Sequence, residues 1–494
     1  MNKFILAIDQ GTSSTKTLIL NDRGQVVARG SDPLNTMYMK DGFVEQKPES
    51  IFNSVIGSIH KCLAEFIKLG FDLGDIKSCG ISNQRETFIV WDRSGNPLYN
   101  AVVWQCKRSI QICQRLVGAG FSDEIRFKTG LVLDPYFSGT KLIWLYENAE
   151  KVQYAIDQGN ALFGTVDTWI LYKLTNAKSY CTDHTNASRT LFFNLNTLEW
   201  DRDILHRWGL NHLQLPQVKA SSADYGTIEY EEIPALKGLP IHAMIGDSQS
   251  AAFGEYCFDA GTAKATLGTG CSILMNIGNK PKISKHGMLT TICWSFRDRV
   301  DYALEGAIVS CGSTLEWLKN ELGILSDSRE SELMANAITD NNGVYIIPAF
   351  SGLGAPHWDM NRKASIVGLT FNSNKKHIVR AALESIAYQI KDVITAMEQD
   401  ANLKLQNLFA DGGITSNSFV MQFTADLLKI PVSNMNIADV SALGVGYLAG
   451  LCSGIFYDLN SLKLLQRQHK VYSPNLENGH SMDEYYSTWL SLVK

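Results

Sequence analysis

Apolar and polar positions along this chain switch repeatedly between the strand and the helix period. Phe4 to Ile8 is an unbroken apolar run that predicts a buried strand. It leads into the small polar turn Asp9-Gln10-Gly11-Thr12-Ser13-Ser14, and a second strand is expected over Thr15 to Leu20. Asn21-Asp22-Arg23-Gly24 reads as a turn and Gln25 to Ala28 as a third strand. Pro48-Glu49-Ser50 then opens a helix, because Ile51, Val55, Ile59, Cys62, Leu63 and Phe66 recur at helical spacing.

The second half repeats this opening. Ala263 to Leu267 leads into Gly268-Thr269-Gly270, and Cys271 to Asn276 returns as a strand. A long helix is expected from His377 to Glu398, with Ile378, Ala382, Ile386, Ile390, Val393 and Met397 on one face. Asn407 to Ala410 runs into Asp411-Gly412-Gly413, and Ser416-Asn417 is placed to cap the next helix. Two similar α/β halves with Gly-rich turns predict a cleft between them. A chain of 494 residues is also too long for one core. The expected boundary lies close to Phe253-Gly254, giving segments 1–253 and 254–494.

Composition narrows the function class. At 45% hydrophobic, 19% charged and net charge −5, the chain has the balance of a globular protein and no basic footprint for nucleic acid. Neither nucleic acid nor a membrane is an expected partner. The apolar run at the start is too short for a secretory core, and the ten cysteines are scattered without a CxxC pair. Reduced thiols and a cytoplasmic location are therefore expected.

Phosphoryl transfer needs backbone N–H groups around phosphate, a carboxylate for Mg²⁺, and a carboxylate to take the hydroxyl proton. Asp9 ends an apolar strand beside Gly11, which lets phosphate approach the backbone, and Thr12, Ser13 and Ser14 add hydroxyls. Gly268-Thr269-Gly270 offers a matching turn in the second half, as two jaws around one polyphosphate would require. Asp247, in Ile245-Gly246-Asp247-Ser248-Gln249, could accept a proton, or cap the helix through Ala251 and Ala252. Asp411-Gly412-Gly413 with Asn417 reads either as a nucleotide cradle or as a plain strand-to-helix turn. Arg85-Glu86 would give a polyol donors and acceptors, although a surface ion pair is the commoner meaning of such a dipeptide. Trp104 and Tyr136 supply aromatic walls for C–H faces, or core aromatics.

These motifs carry a resemblance to the FGGY carbohydrate kinases. Tyr136-Phe137-Ser138-Gly139-Thr140-Lys141-Leu142-Ile143-Trp144 fits one family signature. Ala364 to Leu369, continuing to His377 and Ala381-Ala382-Leu383-Glu384, fits the other. The segments SNQRETFIVWD, VVWQCKR, GLVLDPYFSGTK, LFGTVDTW, TDHTNASRT and SGLGAPHWD resemble the glycerol-phosphorylating members in particular. The resemblance implies two actin-like (ribonuclease H-like) ATPase domains flanking a catalytic cleft, with ATP and Mg²⁺ as cosubstrate and cofactor. It implies Asp247 as catalytic base, and Asp9 with Asp247 at the metal. Arg85, Glu86, Trp104, Tyr136 and Asp247 match polyol-contacting positions. Thr12, Ser13, Ser14, Lys16, Gly268, Thr269, Gly312, Glu316, Gly413 and Asn417 match nucleotide positions, with Lys16 and Glu316 standing where Arg and Gln are common. A homodimer or homotetramer is the expected assembly.

Two departures concern the acceptor. Ser248 stands where those members carry a glycerol-contacting Gln, and Ser272 where they carry an aromatic. Both changes shrink side chains, which leaves glycerol and a longer polyol or ketose of four to five carbons as rival acceptors. A catalytically silent ATP-binding regulator is the non-kinase alternative, and the intact Asp9 and Asp247 argue against it.

Overall fold

The first apolar run forms a strand longer than its hydrophobic stretch. In the computed structural model, which describes residues 3–435, 439–465, 469–475, 477 and 479–493, β1 (Phe4–Gln10) continues through Asp9 and Gln10. The expected end of the strand at Ile8 is thus two residues early, so Asp9 is held in a ladder rather than in a loose turn. β2 (Ser14–Asn21) and β3 (Val26–Pro33) follow antiparallel. α1 (Pro48–Lys68) packs on them with Ile51, Val55, Ile59, Cys62 and Phe66 buried, the face its periodicity predicts. Truncating one of these, such as Ile59, to Ala would cost about 2–5 kcal/mol.

β4 (Ile76–Asn83) joins β1 in parallel and is buried at every position except Lys77, because both of its faces are covered. After α2 (Ser138–Asn148), β5 (Ile241–Gly246) pairs in parallel with β4 and runs directly into α3 (Asp247–Gly254). The sheet order is β5-β4-β1-β2-β3.

The second half rebuilds this plan. β6 (Thr262–Leu267), β7 (Cys271–Gly278), β8 (Leu289–Phe296) and β9 (Arg299–Ile308) pair antiparallel. α4 (Gly312–Asn320) and α5 (Lys375–Ala401) follow. β10 (Asn407–Asp411), α6 (Ser418–Leu428) and β11 (Val432–Asn434) then place two parallel strands beside β6. Beyond α7 (Val440–Cys452), β12 (Lys470–Tyr472) closes the edge, giving the order β8-β9-β7-β6-β10-β11-β12. The first half is a three-strand antiparallel meander extended by two parallel strands; the second repeats that core as β9-β7-β6-β10-β11 and adds an antiparallel strand at each edge, β8 and β12, the actin-like arrangement. α5 begins two residues before the expected start, because Asn374 and His377 form a reciprocal capping box.

The halves are not independent in packing. α7 returns from the second half and lies across α3, β4, β1 and β5 of the first. Gly444 makes this possible, since a Cβ there would fall 1.8 Å from the Ser250 carbonyl. Ile5, Ala7, Leu18, Ile245, Leu274, Trp294, Ala442 and Leu448 consequently share one core.

Candidate active site

The two carboxylates are positioned by strand register. Asp9 lies opposite Ser82, and Gly246, just before Asp247, lies opposite Asn83. Asp9 and Asp247 thus flank the end of β4 from its two neighbours, with backbones about 10 Å apart across two strand spacings. Ser82 Oγ donates to Asp9 Oδ1 at 2.9 Å. Burial, reinforced by the charge of Asp247, pushes the Asp9 carboxyl up to about 7.

Asp247 is the first residue of α3 rather than its cap. Gly246 occupies the cap position, and the Asp247 carboxylate accepts from the Ser248 N–H at 2.6 Å. The side chain of Asp247 is 39% exposed and faces Arg85 Nε at 3.4 Å.

Arg85 and Glu86 are buried, and neither reads as the surface ion pair considered from sequence. They pair away from each other. Arg85 donates to Glu305 through two nitrogens at 2.8 and 3.2 Å, and to Gln249 Oε1 at 3.3 Å. Glu86 is held by Arg189, which also bonds Glu305. Burial would push Glu305 up, but the Arg189 and Arg85 guanidiniums hold it down at about 2. Burial outweighs Arg189 and Arg85 at Glu86 and pushes that carboxyl up. Glu86 also adopts φ 59°, a strained left-handed geometry. Ser138 Oγ, at the start of α2, donates to its carbonyl at 2.8 Å and fixes that turn.

Trp104 and Tyr136 meet edge to face, with ring centroids 5.6 Å apart. Lys141 of α2 positions both: its ammonium, fully buried, reaches the carbonyls of Val103, Trp104 and Tyr136 at 3.3, 3.4 and 2.9 Å. The Trp104 indole N–H donates to Thr12 Oγ1 at 3.0 Å, tying the aromatic wall to the first phosphate-type turn.

These groups surround a cavity of about 310 Å³ that Thr12, Arg85, Glu86, Trp104, Tyr136, Asp247, Ser248 and Ser272 all line. Lys264, Thr266 and Asp411 complete its far wall. Lys264, buried in β6, spends one donor on Thr266 Oγ1 at 2.6 Å. One carboxylate oxygen of Asp411 is buried and makes no hydrogen bond among the described residues.

The second-half turns converge beside this wall. The Gly312 N–H donates to the Gly268 carbonyl and the Cys311 N–H to the Thr269 carbonyl, each at 2.9 Å. Gly412 takes φ 93°, and a Cβ there would lie 2.4 Å from the Leu267 carbonyl. Gly413 opens the following turn, and Asn417 caps α6 by accepting from the Val420 N–H at 3.1 Å. Asp9, Ser13, Ser14, Lys16, Gly268, Thr269, Gly312, Glu316, Gly413 and Asn417 do not line the cavity itself. Lys16 pairs with Asp439 at 2.7 Å, and Glu316 is exposed on α4.

Sequence reasoning missed Arg189, Glu305, Lys141 and Lys264. Each is a charge inside an apolar or small-residue run, as in Tyr302-Ala303-Leu304-Glu305-Gly306 and Ala263-Lys264-Ala265. A charge at a position patterned for burial needs a buried partner, and that was the available signal.

Residues 4–254 match the FGGY family of carbohydrate kinases, N-terminal domain, and residues 263–452 match its C-terminal domain. The chain is 44% identical over 495 aligned residues to a glycerol kinase of Thermoanaerobacter sp. (strain X514), covering 100% of this chain and 98% of that one. It is 43% identical to a glycerol kinase of Carboxydothermus hydrogenoformans, covering 99% and 97%. The crystal structure of Plasmodium falciparum glycerol kinase with ADP superposes with a TM-score of 0.93 at 36% identity, covering 99% of this chain and 97% of the other.

Proposed function

This chain belongs to the FGGY family of carbohydrate kinases, and from that premise we propose that it transfers the γ-phosphoryl group of ATP to a terminal hydroxyl of glycerol, giving glycerol 3-phosphate. One observation carries the reading. A partly exposed carboxylate, Asp247, shares a 310 Å³ cavity with the Arg85–Glu86 pair and the Trp104–Tyr136 wall. The similarity to glycerol kinases supports the acceptor.

In this reading Asp247 takes the proton of the attacking hydroxyl, and Arg85 beside it keeps the carboxylate oriented. Glu86 and Arg85 hydrogen-bond the remaining hydroxyls. Trp104 and Tyr136 cover the carbon chain and exclude water. The Gly11–Ser13 and Gly268–Gly270 turns would present backbone N–H groups to the phosphates, with Gly312, Gly413 and Asn417 on the nucleotide side. Lys264 faces the developing negative charge across the cavity.

Mg²⁺ fits the donor set. Asp9 is a buried acid pushed up to about 7 partly by its neighbour Asp247, and Mg²⁺ usually needs only one or two carboxylates in addition to phosphate oxygens. Asp9 would hold it with Asp247 alongside, and the ion would neutralise charge on the transferring group. Ten free thiols, nine of them buried, support a reducing cytoplasmic setting. We place the division between the halves near Phe253–Gly254, at the end of α3.

The test is ADP release from ATP with glycerol, comparing wild type with Asp247→Asn. A kinase loses transfer by orders of magnitude in the variant while retaining its fold and nucleotide binding. Equal ADP release with and without any polyol would instead identify a nucleotide-binding regulator.

A further inference from the structure

The cavity holds more hydrogen-bonding capacity than a three-carbon acceptor uses. Most of its polar side chains are already engaged: Arg85 with Glu305 and Gln249, Glu86 with Arg189, the Trp104 N–H with Thr12, and Lys264 with Thr266. Ser248 Oγ and Ser272 Oγ are different. Both atoms are buried, both residues line the cavity, and neither hydroxyl has a hydrogen-bond partner among the described residues.

Their positions are fixed by rigid elements. Ser248 follows Asp247 in the first turn of α3, and Ser272 lies in β7 between Thr266 of β6 and Ala307 of β9. A buried hydroxyl without a partner is unfavourable unless a ligand supplies one. In the proposed reaction, Asp247, Arg85 and Glu86 account for the three hydroxyls of glycerol, so two wall hydroxyls remain. The wall is also uneven. Trp104 and Tyr136 give one apolar side, whereas Ser248, Ser272, Ala251 and Thr266 give a small-residue, hydroxyl-bearing side.

We propose that Ser248 and Ser272 are specificity residues for a fourth acceptor hydroxyl, and that the pocket takes a four-carbon polyol, a tetritol, at least as well as glycerol. The inference rests on the kinase reading above and deepens its acceptor. A fourth hydroxyl would donate to one serine and accept from the other.

The experiment compares kcat/KM for glycerol, erythritol and threitol at saturating ATP, in wild type and in Ser248→Ala and Ser272→Ala. The expected result is a tetritol value equal to or above that for glycerol. Each Ala variant should lower the tetritol-to-glycerol ratio about tenfold, the loss of one hydrogen bond. Ser248→Gln and Ser272→Phe, which fill the space, should shift the ratio further towards glycerol.

Four outcomes would overturn it. One is a tenfold or larger preference for glycerol over both tetritols, with the ratio unchanged in the Ala variants. A second is a rise in the KM for ATP with every acceptor alike, which would assign the hydroxyls to phosphate. If glycerol is turned over and the tetritols are not, this inference alone fails; if no polyol is turned over, the kinase reading fails with it.

Discussion

Arg85 and Glu305, 220 residues apart in the chain, form a two-point ion pair at 2.8 and 3.2 Å, each with a side chain about 7% exposed. Arg85 follows β4 of the first half and Glu305 lies in β9 of the second, so the guanidinium proposed to meet the acceptor is anchored across the two halves. Arg189 meets the same carboxylate.

Glu305→Gln should therefore act on both stability and acceptor binding. It leaves two buried guanidiniums without their shared charge, a change expected to cost about 3–5 kcal/mol. Urea unfolding at pH 7 measures the first effect. The KM for glycerol should rise while that for ATP stays within about twofold, because the nucleotide turns do not touch Glu305. Since Glu305 is held at about 2 against an ordinary 4.5, its contribution is complete above pH 4.5 and disappears as pH falls through 2. Unchanged stability in Glu305→Gln would show that the pair is not maintained in solution.

Asp167 gives the opposite pH dependence. It is fully buried, accepts from Thr165 and Thr182 at 2.5 and 2.6 Å, and is pushed up to about 7 by burial and by Asp183. The folded chain then keeps a proton that the unfolded chain releases near pH 4. Stability should fall as pH rises from about 4 to 7 and level off above that, by up to about 1.4 kcal/mol per unit. Asp167→Asn removes this slope. Melting curves of wild type and variant between pH 5 and 8 should converge at the acid end and separate at the basic end, and parallel curves would refute the assignment.

In the proposed reaction Lys141 positions the Trp104–Tyr136 wall. Lys141→Met keeps the aliphatic stem but leaves the carbonyls of Val103, Trp104 and Tyr136 without its ammonium. We expect the KM for glycerol to rise about tenfold or more, with kcat changed less and the KM for ATP unaffected. Lys141→Arg, if it restores the acceptor KM, would separate this bonding role from simple packing. A fall in kcat alone would contradict it.

Gly444→Ala tests the join between the halves. The new Cβ would meet the Ser250 carbonyl at 1.8 Å, so α7 must lift from α3, the helix that carries Asp247. Overpacking of this kind typically costs about 1–3 kcal/mol, and backbone contact puts the expected loss at the upper end. Melting temperature and kcat should fall together. A variant with normal melting and normal kcat would mean that the two helices are not in contact in the working enzyme.

Much of the chemistry was readable along the chain because it sits in local patterns. The Asp9–Ser14 turn, Gly268–Gly270, Arg85-Glu86 and Asp247 each stand at the end of an apolar run, and strand ends are where a parallel sheet presents side chains to a cleft. Arg189, Glu305, Lys141 and Asp439 were not singled out. Apart from the Lys141 contact to the Tyr136 carbonyl, their partners lie tens to hundreds of residues away, and no spacing rule links Arg85 to position 305 or Lys16 to position 439. The return of α7 onto the first sheet was equally hidden, since an apolar small-residue helix fits any close interface.

The sequence by itself determined the elements, the repeated strand–turn–strand plan and the identity of the chemically capable side chains, because hydrophobic period and turn residues act over a few positions. The tertiary structure decided which of those side chains share one cavity. It also decided which charges neutralise one another and which buried hydroxyls, those of Ser248 and Ser272, have no partner among the described residues. These outcomes depend on strand register and on contacts across the cleft, and burial gives a charge or a hydroxyl its energetic meaning only once its neighbours are fixed.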